Sequence, residues 1–270
     1  MPAAGAASPA RAAVGAAGET GRAGAGAPLS IRIREKRFPA VGDAPAKLVI
    51  QDLALELRPQ GFMALFGPSG CGKTTLLNLI AGLDTDFAGE IGLPEPARIG
   101  YMFQEPRLLP WLTVEDNLQL VLADEPASAA KIDAWLAEMG LADVRAVFPT
   151  RLSLGMARRV ALARAFVIQP TLMLMDEPFV SLDEPTAERL RRLLLATLRA
   201  HPATVVFVTH NLREAIMLAD RIALLSPAPA RLLGIVEVPL RPAERADPAA
   251  VERARAELLG RDLPGLRLTG

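Results

Sequence analysis

The sequence predicts an α/β domain in which a parallel sheet core is joined to an antiparallel β subdomain and an inserted α-helical subdomain. Three observations indicate this fold class. A glycine-rich loop at 67–74 stands between an apolar run and a helical pattern. After residue 170, short buried-strand patterns alternate with helical patterns, which is typical of a parallel sheet covered by helices. Between residues 31 and 57, apolar and polar residues alternate as they do in half-exposed strands.

Composition limits the classes of function that the chain can have. Thirty basic and thirty acidic residues cancel among the 270, so bulk charge gives no support for nucleic-acid binding. Cys71 is the single cysteine, which excludes an internal disulfide and fits a reducing cytosol. No apolar run approaches the ~20 residues of a membrane-spanning helix, so membrane association would come through a partner.

The first residues, 1–28, are rich in alanine and glycine with scattered arginines. They lack the charged start and apolar stretch of a signal peptide, and we expect a disordered tail. Strands are predicted at 31–37 and 48–57, where apolar side chains alternate with polar ones. Two further short strands are predicted within 88–103, and we expect all four in one small, mostly antiparallel sheet.

The loop at 67–74 has the full spacing of a phosphate-binding loop, with a strand pattern before it and a helix pattern after it. Its glycines let the backbone curl so that N–H groups surround a triphosphate, and the following helix adds unpaired N–H donors. Lys73 is expected to reach the β- and γ-phosphates of ATP, and the Thr74 hydroxyl to ligate Mg²⁺. The residues predicted to bind nucleotide here are Gly67, Pro68, Ser69, Gly70, Cys71, Gly72, Lys73, Thr74 and Thr75.

Cys71 lies inside this loop near the start of the predicted helix. Such a position favours the thiolate form of a cysteine. We therefore expect a reactive thiol whose alkylation blocks ATP binding and which bound ATP protects.

From Thr113 to Gln169 the pattern becomes helical. Thr113 precedes two acidic residues of a first turn, which makes it an N-cap. A second helix is predicted at 128–139 and a third at about 153–168, which stops before Pro170.

The second half of the chain alternates strands and helices. Buried strands are predicted at 172–175, 204–209 and 222–225, with helices at 185–200 and 211–219 between them, and the tail adds a strand-like stretch at 232–238 and a helix near 248–259. Because ligands of parallel sheets lie at the carboxyl ends of the strands, the residues just after these strands are candidates for the site.

Acidic residues and a histidine stand at those strand ends. An acid that follows a buried strand, paired with a phosphate loop, typically holds the Mg²⁺ of the nucleotide, and this role is predicted for Asp176. Glu177 can then orient or deprotonate an attacking water. His210 ends the strand pattern at 204–209 and would lie at the same sheet edge.

These motifs together resemble those of the ATP-binding subunits of ABC transporters over roughly residues 30–226. The phosphate loop alone would also admit kinases, GTPases and many ATPases, whereas the ordered set admits almost only this family. The segments that carry the resemblance are 67–75, Gln104, 152–156, 172–178, 181–183 and His210. The resemblance implies a P-loop NTPase core of the RecA-like type.

The resemblance also implies roles for single residues. Gln104 would sense the γ-phosphate and Mg²⁺ and link them to a membrane partner. His210 would contact the γ-phosphate and hold the attacking water with Glu177. The predicted catalytic residues are thus Glu177, His210, Lys73 and Gln104, and the predicted metal ligands are Thr74, Gln104 and Asp176.

Other residues of the family pattern act across a dimer. Ser153 and Gly155 would begin a helix whose N-terminus faces the γ-phosphate bound by a second copy, and Asp183 would lie in a loop at the interface. The chain departs from the usual leucine-serine-glycine-glycine-glutamine because Leu154 and Met156 stand at the third and fifth places. A leucine there would crowd the phosphate or demand a backbone that it tolerates poorly. We still expect activity, because both presumed phosphate contacts remain.

Two aromatic residues carry narrower predictions. Phe38 is the only aromatic residue between positions 1 and 61, and the family stacks an aromatic side chain on adenine, so Phe38 is nominated for that role; the other interpretation is a hydrophobic plug for the small sheet. Residues 100–117 resemble the ATPases of nitrate, sulfonate and taurine importers. Trp111 would then contact a cytoplasmic helix of the membrane subunit, or else pack under the helical subdomain.

The predicted function is that of the ATP-hydrolysing, energy-coupling subunit of an ABC importer for a small anionic solute. It would bind ATP and Mg²⁺ and form a homodimer in its closed state. We expect it to lie on the cytoplasmic face of the membrane, in contact with permease subunits. A secreted solute-binding protein would be an indirect partner, and no nucleic acid is expected to bind. The alternatives are a soluble ABC-type ATPase without transport, or a regulatory subunit with weakened hydrolysis. The predicted domains are a tail (1–28), an ATP-binding domain (29–228) with a helical subdomain at about 105–168, and an extension (229–270).

Overall fold

The computed structural model of the chain describes residues 27–42, 45–122 and 128–261. Most of the predicted tail, residues 1–26, lies outside the described residues. The strands are β1 (Leu29–Phe38), β2 (Lys47–Leu57), β3 (Phe62–Phe66), β4 (Ala88–Gly92), β5 (Ile99–Met102), β6 (Leu172–Asp176), β7 (Thr204–Thr209), β8 (Arg221–Leu225) and β9 (Leu232–Glu237). The α-helices are α1 (Lys73–Ile80), α2 (Val114–Gln119), α3 (Ser128–Glu138), α4 (Leu154–Phe166), α5 (Glu184–Ala200), α6 (Leu212–Leu218) and α7 (Pro248–Gly260).

A six-stranded sheet forms the centre of the fold, in the strand order β5-β6-β7-β3-β8-β9. The first five of these strands run parallel, and β9 pairs antiparallel with β8. A separate antiparallel sheet has the order β2-β1-β4. The predicted α/β fold class, with a parallel core and an antiparallel subdomain, is confirmed.

One strand assignment made from the sequence is wrong. Both strands within 88–103 were expected in the small antiparallel sheet, but β5 pairs parallel with β6, from Ile99 opposite Leu172 to Met102 opposite Met175. A four-residue strand has too little periodicity to indicate its sheet. A pairing partner far along the chain decides it.

The main sheet is buried on both faces, as expected for parallel strands that read as continuous apolar runs. On one face Leu65 and Leu174 pack in a cluster with α1 and the small sheet. On the other face Phe207 packs in a second cluster with Phe166 of α4 and Val251 of α7. The successive strands are therefore held at fixed spacing, and the loops at their carboxyl ends are presented from a rigid base.

Side-chain caps fix the starts of the helices that follow these loops. Ser153 caps α4, Asp183 caps α5 and Asn211 caps α6, each through a side-chain oxygen that accepts from an N–H of the first turn. Thr113 forms a reciprocal capping box with Asp116 at α2. Within the described ranges, no helix is both long enough and apolar enough to cross a membrane.

The last described elements pack onto the main sheet. β9 extends that sheet at one edge. Val251 and Leu258 of α7 are buried in the same hydrophobic cluster as Phe166 of α4. Before α7, Arg245 donates to the carbonyl oxygen of Leu218 at 3.2 Å and to Oδ1 of Asp220 at 3.2 Å. These contacts join the C-terminal part of the chain to the end of α6.

Candidate nucleotide site

The loop between β3 and α1 has the backbone of a phosphate cradle. Gly70 and Gly72 have φ angles of 74° and 119°, which residues with a Cβ atom rarely adopt. A Cβ atom on Gly67 would lie 3.0 Å from the carbonyl oxygen of Leu225 and 3.2 Å from Sγ of Cys71. The spacing of glycines in the motif is therefore required by the shape of the loop.

Lys73 is the first residue of α1, and its side chain lies across the loop. It is only 5% exposed. Its Nζ donates to the carbonyl oxygens of Gly67 at 2.8 Å and Pro68 at 2.9 Å. The charge of this ammonium group interacts with that of Asp176, and an anion in the loop would give it a direct counterion.

Thr74 and Asp176 meet at the carboxyl edge of the sheet. The Oγ1 of Thr74 donates to Oδ2 of Asp176 at 2.7 Å. Burial raises the pKa of Asp176, the bond from Thr74 opposes this rise, and the charge of Glu177 adds to it. Two oxygen groups from different elements thus form a compact pair beside the phosphate loop.

Glu177 begins the loop after β6 in an unusual backbone conformation. Its φ angle is 42°, in the left-handed region that non-glycine residues seldom occupy. Its N–H donates to the carbonyl oxygen of Val208 at 3.0 Å, and its Oε2 lies 3.1 Å from Nδ1 of His210. The conformation directs the Glu177 carboxylate to the histidine of the neighbouring strand. Such strain is typical of functional sites.

The turn that carries His210 is fixed by short hydrogen bonds. The Oγ1 of Thr209 donates to Oε2 of Glu214 at 2.7 Å and accepts from the N–H of Asn211 at 3.0 Å. Burial raises the pKa of Glu214. His210 itself is about half exposed, since 54% of its side-chain surface is accessible.

A cavity of about 370 Å³ lies beside the phosphate loop. It is lined by Phe38, Lys47, Val49, Ser69, Gly70, Gly72, Lys73, Thr74, Thr75, Gln104 and Glu177. Gln104 and Phe38 therefore share one cavity with the loop, although they lie far away in sequence. Lys47 and Val49 were missed from the sequence because they belong to no motif, and only the pairing of β2 with β1 brings them to the cavity.

A second cavity of about 570 Å³ lies on the other side of Thr74. Its lining includes Gln104, Asp176, Leu154 and Arg158. The loop after β5 thus borders both cavities through Gln104.

The start of α4 differs from the phosphate loop because it lies at the protein surface. The Oγ of Ser153 accepts from the N–H of Met156 at 3.2 Å, and Leu154 is 40% exposed. A Cβ atom on Gly155 would lie 2.6 Å from Cγ2 of Thr186. Neither Ser153 nor Gly155 lines the cavity at the phosphate loop of the same chain, and Asp183, which caps α5, is also absent from it.

Comparison with known proteins identifies the family. The family model described as ABC transporter matches residues 50–180. The aliphatic sulfonates import ATP-binding protein SsuB 2 of Burkholderia cenocepacia (strain HI2424) is 41% identical over 235 residues, which are 84% of this chain and 85% of that protein. This chain belongs to the ABC transporter family. The aliphatic sulfonates import ATP-binding protein SsuB of Bacillus licheniformis is 40% identical to this chain. The match covers 78% of this chain and 85% of that protein.

Solved structures agree with this membership of the ABC family. The dimeric structure of a post-hydrolysis state of the ATP-binding cassette MJ0796 bound to ADP and Pi has a TM-score of 0.68 and 25% identity, and covers 79% of this chain and 100% of that chain. A second dimeric structure of MJ0796 has a TM-score of 0.69. The P-loop NTPase fold expected for this ABC protein is therefore confirmed.

The expectation of a reactive cysteine in the ABC phosphate loop is wrong. Cys71 is 1% exposed and packs in the cluster with α1. Burial raises the pKa of its thiol, and the nearby charge of Lys73 only partly offsets this. The helix N-terminus favours a thiolate only where solvent reaches it, and the sequence did not reveal that the side chain turns inward.

The two aromatic predictions differ in outcome. Phe38 is 42% exposed on the cavity wall, and Nζ of Lys36 lies 5.0 Å from its ring centroid. Its role toward adenine stays a prediction. Trp111 is 69% exposed, which excludes the interpretation that it packs under the helices.

Three residues around Gln104 were missed by the sequence reasoning. The rings of Tyr101 and Phe103 stack at 3.9 Å, and the guanidinium of Arg107 lies 4.1 Å from the centroid of Phe103. The hydroxyl of Tyr101 donates to Oδ1 of Asn78 on α1 at 3.0 Å. This stack joins the Gln104 loop to the helix of the phosphate loop. No signal in the sequence separates such contacts from ordinary aromatic packing.

Proposed function

We propose that this chain is the ATP-hydrolysing, energy-coupling subunit of an ABC importer for a small anionic solute of the aliphatic sulfonate type. The observation that carries the hydrolytic role is the 3.1 Å contact between Glu177 and His210 beside the phosphate loop. The names of the relatives, which are import ATP-binding proteins at about 40% identity over most of the chain, support import over a soluble ATPase without transport. They also supply the class of solute.

ATP is the substrate that the cavity at the phosphate loop fits best. Backbone N–H groups of the loop and of the first turn of α1 would surround the β- and γ-phosphates. Lys73 would exchange its carbonyl contacts for phosphate oxygens, which gives its buried charge a counterion. Phe38 would stack on adenine at the wall of the same cavity.

Mg²⁺ fits the oxygen groups on the other side of Thr74. The hydroxyl of Thr74, the carboxylate of Asp176 and the side-chain oxygen of Gln104 are the hard ligands that this ion prefers. A buried carboxylate whose charge is disfavoured by its surroundings gains much from a bound cation. When bound there, the ion neutralises charge on the β- and γ-phosphates.

The proposed chemistry is attack of water on the γ-phosphorus of ATP, which breaks the bond to the β–γ bridging oxygen and yields ADP and inorganic phosphate. The carboxylate of Glu177 accepts or orients the proton of that water, and His210 holds the water and the γ-phosphate from the neighbouring strand end. Lys73 stabilises the charge on the phosphate oxygens. The fixed turn at Thr209 keeps His210 in place, so positioning contributes much of the rate.

A second copy of the chain would complete each site. Ser153 and Gly155 at the start of α4 would face the γ-phosphate bound by the other copy, and Asp183 would lie at the interface. The dimeric state named for both solved relatives supports this arrangement. ATP binding closes the dimer, and hydrolysis reopens it.

The membrane partner is an integral permease, against which the chain lies on the cytoplasmic face. Exposed Trp111 is the proposed anchor for a short permease helix. A secreted solute-binding protein acts on the other side of the membrane. Within the chain we propose an ATP-binding domain at 29–228 with a helical subdomain at about 105–168, followed by an extension at 229–270.

The test is Glu177→Gln. We expect ATP binding within about threefold of wild type, a closed dimer that persists with ATP and Mg²⁺, and hydrolysis reduced at least ~100-fold, because the water loses its base. Glu90→Gln, at an exposed carboxylate of the small sheet, is the control and should keep the wild-type rate. Hydrolysis by Glu177→Gln at the wild-type rate would remove Glu177 from the mechanism. Import is tested separately by co-purification with an integral membrane protein.

A further inference from the structure

Arg158 is a buried cation that the proposed chemistry does not use. It lies in the second turn of α4 and is 2% exposed. Among the residues that the structure describes, it forms no ion pair with a carboxylate, and its Nε has no hydrogen-bond partner. Burial lowers the pKa of its guanidinium, with some compensation from the charge of Glu105. A buried guanidinium without a paired carboxylate lowers the stability of the folded protein, so its presence calls for a functional explanation.

The guanidinium of Arg158 joins two loops of the site. One of its terminal nitrogens donates to the carbonyl oxygen of Phe103 at 3.3 Å, and the other donates to that of Val180 at 3.3 Å. Phe103 directly precedes Gln104, and Val180 lies in the loop between Glu177 and the cap of α5. One side chain of α4 therefore touches the segments that carry the proposed metal-sensing residue and the proposed base.

Two other arginines of the same helix also donate to carbonyl oxygens, but each of them contacts a single segment. Arg164 donates to the carbonyl oxygens of Pro106 and Arg107, both in the Gln104 loop, at 2.9 Å each. Arg159 donates to the carbonyl oxygens of Met139 at 2.9 Å and Gly140 at 3.1 Å, at the end of α3. It uses the same kind of bond at a place that does not line either cavity. Arg158, by contrast, also lines the second cavity together with Asp176. Arg159 is therefore a matched control for any effect of losing two carbonyl contacts.

We propose that Arg158 is a positioning residue that couples the start of α4 to the Gln104 loop and to the loop after Glu177. Movement of α4, whose start would face the nucleotide of the second copy, then reaches both loops of the same chain through one rigid guanidinium. The planar group suits this task, since it donates in two directions at once. The expected effect on the rate of hydrolysis rests on the proposed function. The physical coupling of the two loops by Arg158 does not depend on that function.

The first measurement is steady-state ATP hydrolysis with separate ATP-binding titrations. Arg158→Met keeps a long side chain but removes the donors, and we expect kcat to fall about tenfold while the Kd for ATP changes less than about threefold. Arg159→Met should keep kcat within about twofold of wild type, since its contacts lie away from the loops. Arg158→Lys, which retains the charge and one donor direction, should recover part of the rate. An equal loss of kcat in both methionine variants would overturn the proposal.

The second measurement is hydrogen exchange of the backbone without nucleotide. Arg158→Met should speed exchange in segments 103–107 and 177–183 together, and Arg159→Met only near Met139 and Gly140. This readout needs no activity, so it separates failure of the coupling from failure of the proposed hydrolysis. If neither segment changed in Arg158→Met, or if only one did, Arg158 would not be the link between them. A variant too unstable to study is replaced by Arg158→Lys in the same measurement, where smaller changes in both segments are expected.

Discussion

The phosphate loop and the start of α4 are both glycine-containing helix starts, yet they are built in opposite ways. At the phosphate loop, Lys73 is buried and the strained positions are glycines, and the cavity is formed by groups of the same chain. At α4, Ser153 caps its own helix and Leu154 lies partly in solvent. The first region lines the cavity at the phosphate loop, whereas at the second only Leu154 borders the neighbouring cavity, and Ser153 and Gly155 line neither of the two cavities. From this difference we expect that one copy can hold the nucleotide and that a second copy is needed for rapid hydrolysis.

The largest effect should follow from removing the cation of the phosphate loop. Lys73→Ala removes the charge that we propose to face the phosphates, and we expect ATP affinity to fall at least ~100-fold. Isothermal titration of the intact protein with ATP measures it. If Lys73→Ala bound ATP with wild-type affinity, the loop at 67–74 would not be the part of the chain that holds the phosphates of ATP.

An intermediate effect is expected at the α4 region. Ser153→Ala should lower hydrolysis about tenfold while leaving ATP affinity within about threefold, because the phosphate contact that we propose for Ser153 is made to the nucleotide of the other copy. It should also cost about 1 kcal/mol of stability through the lost N-cap, which thermal unfolding detects.

Mixing the two variants sharpens the comparison further. In the proposed dimer, one Lys73→Ala chain and one Ser153→Ala chain would together contain one complete composite site. We therefore expect the mixture to hydrolyse ATP faster than either variant alone. A mixture no faster than its more active component would show that each chain completes its own site.

Continuous motifs and contacts between distant segments also differ in how well the sequence predicted them. The loop from Gly67 to Thr74 is a continuous segment, and its strand and helix flanks were recognised from periodicity. Contacts made between distant segments were not: the parallel pairing of β5, the inward turn of Cys71 and the two loop contacts of Arg158 all depend on tertiary packing. Local motifs therefore predicted which residues the candidate site contains, whereas the connections between its loops could be seen only in the assembled fold.

The smallest effect is expected on stability at Asp176. Its folded-state pKa is raised by burial, so its ionisation is disfavoured in the folded protein, and stability is lost as pH rises through that pKa. Asp176→Asn without nucleotide should therefore raise Tm by about 2–4 °C at neutral pH. The gain should vanish at acidic pH, where the wild-type carboxyl is protonated. Calorimetry at both pH values measures this. A lower Tm for Asp176→Asn at neutral pH would mean that the carboxylate stabilises the empty site.

The packing of α7 matters for anyone who exchanges cassettes between transporters. Val251 and Leu258 fill the same core as the helices beside the sheet, and Arg245 holds the end of α6, which starts directly after His210 and Asn211. A hybrid joined immediately after β8 would leave that core open and the histidine turn unsupported. The junction of such a hybrid should therefore lie after Gly260, the last residue of α7, and not directly after β8.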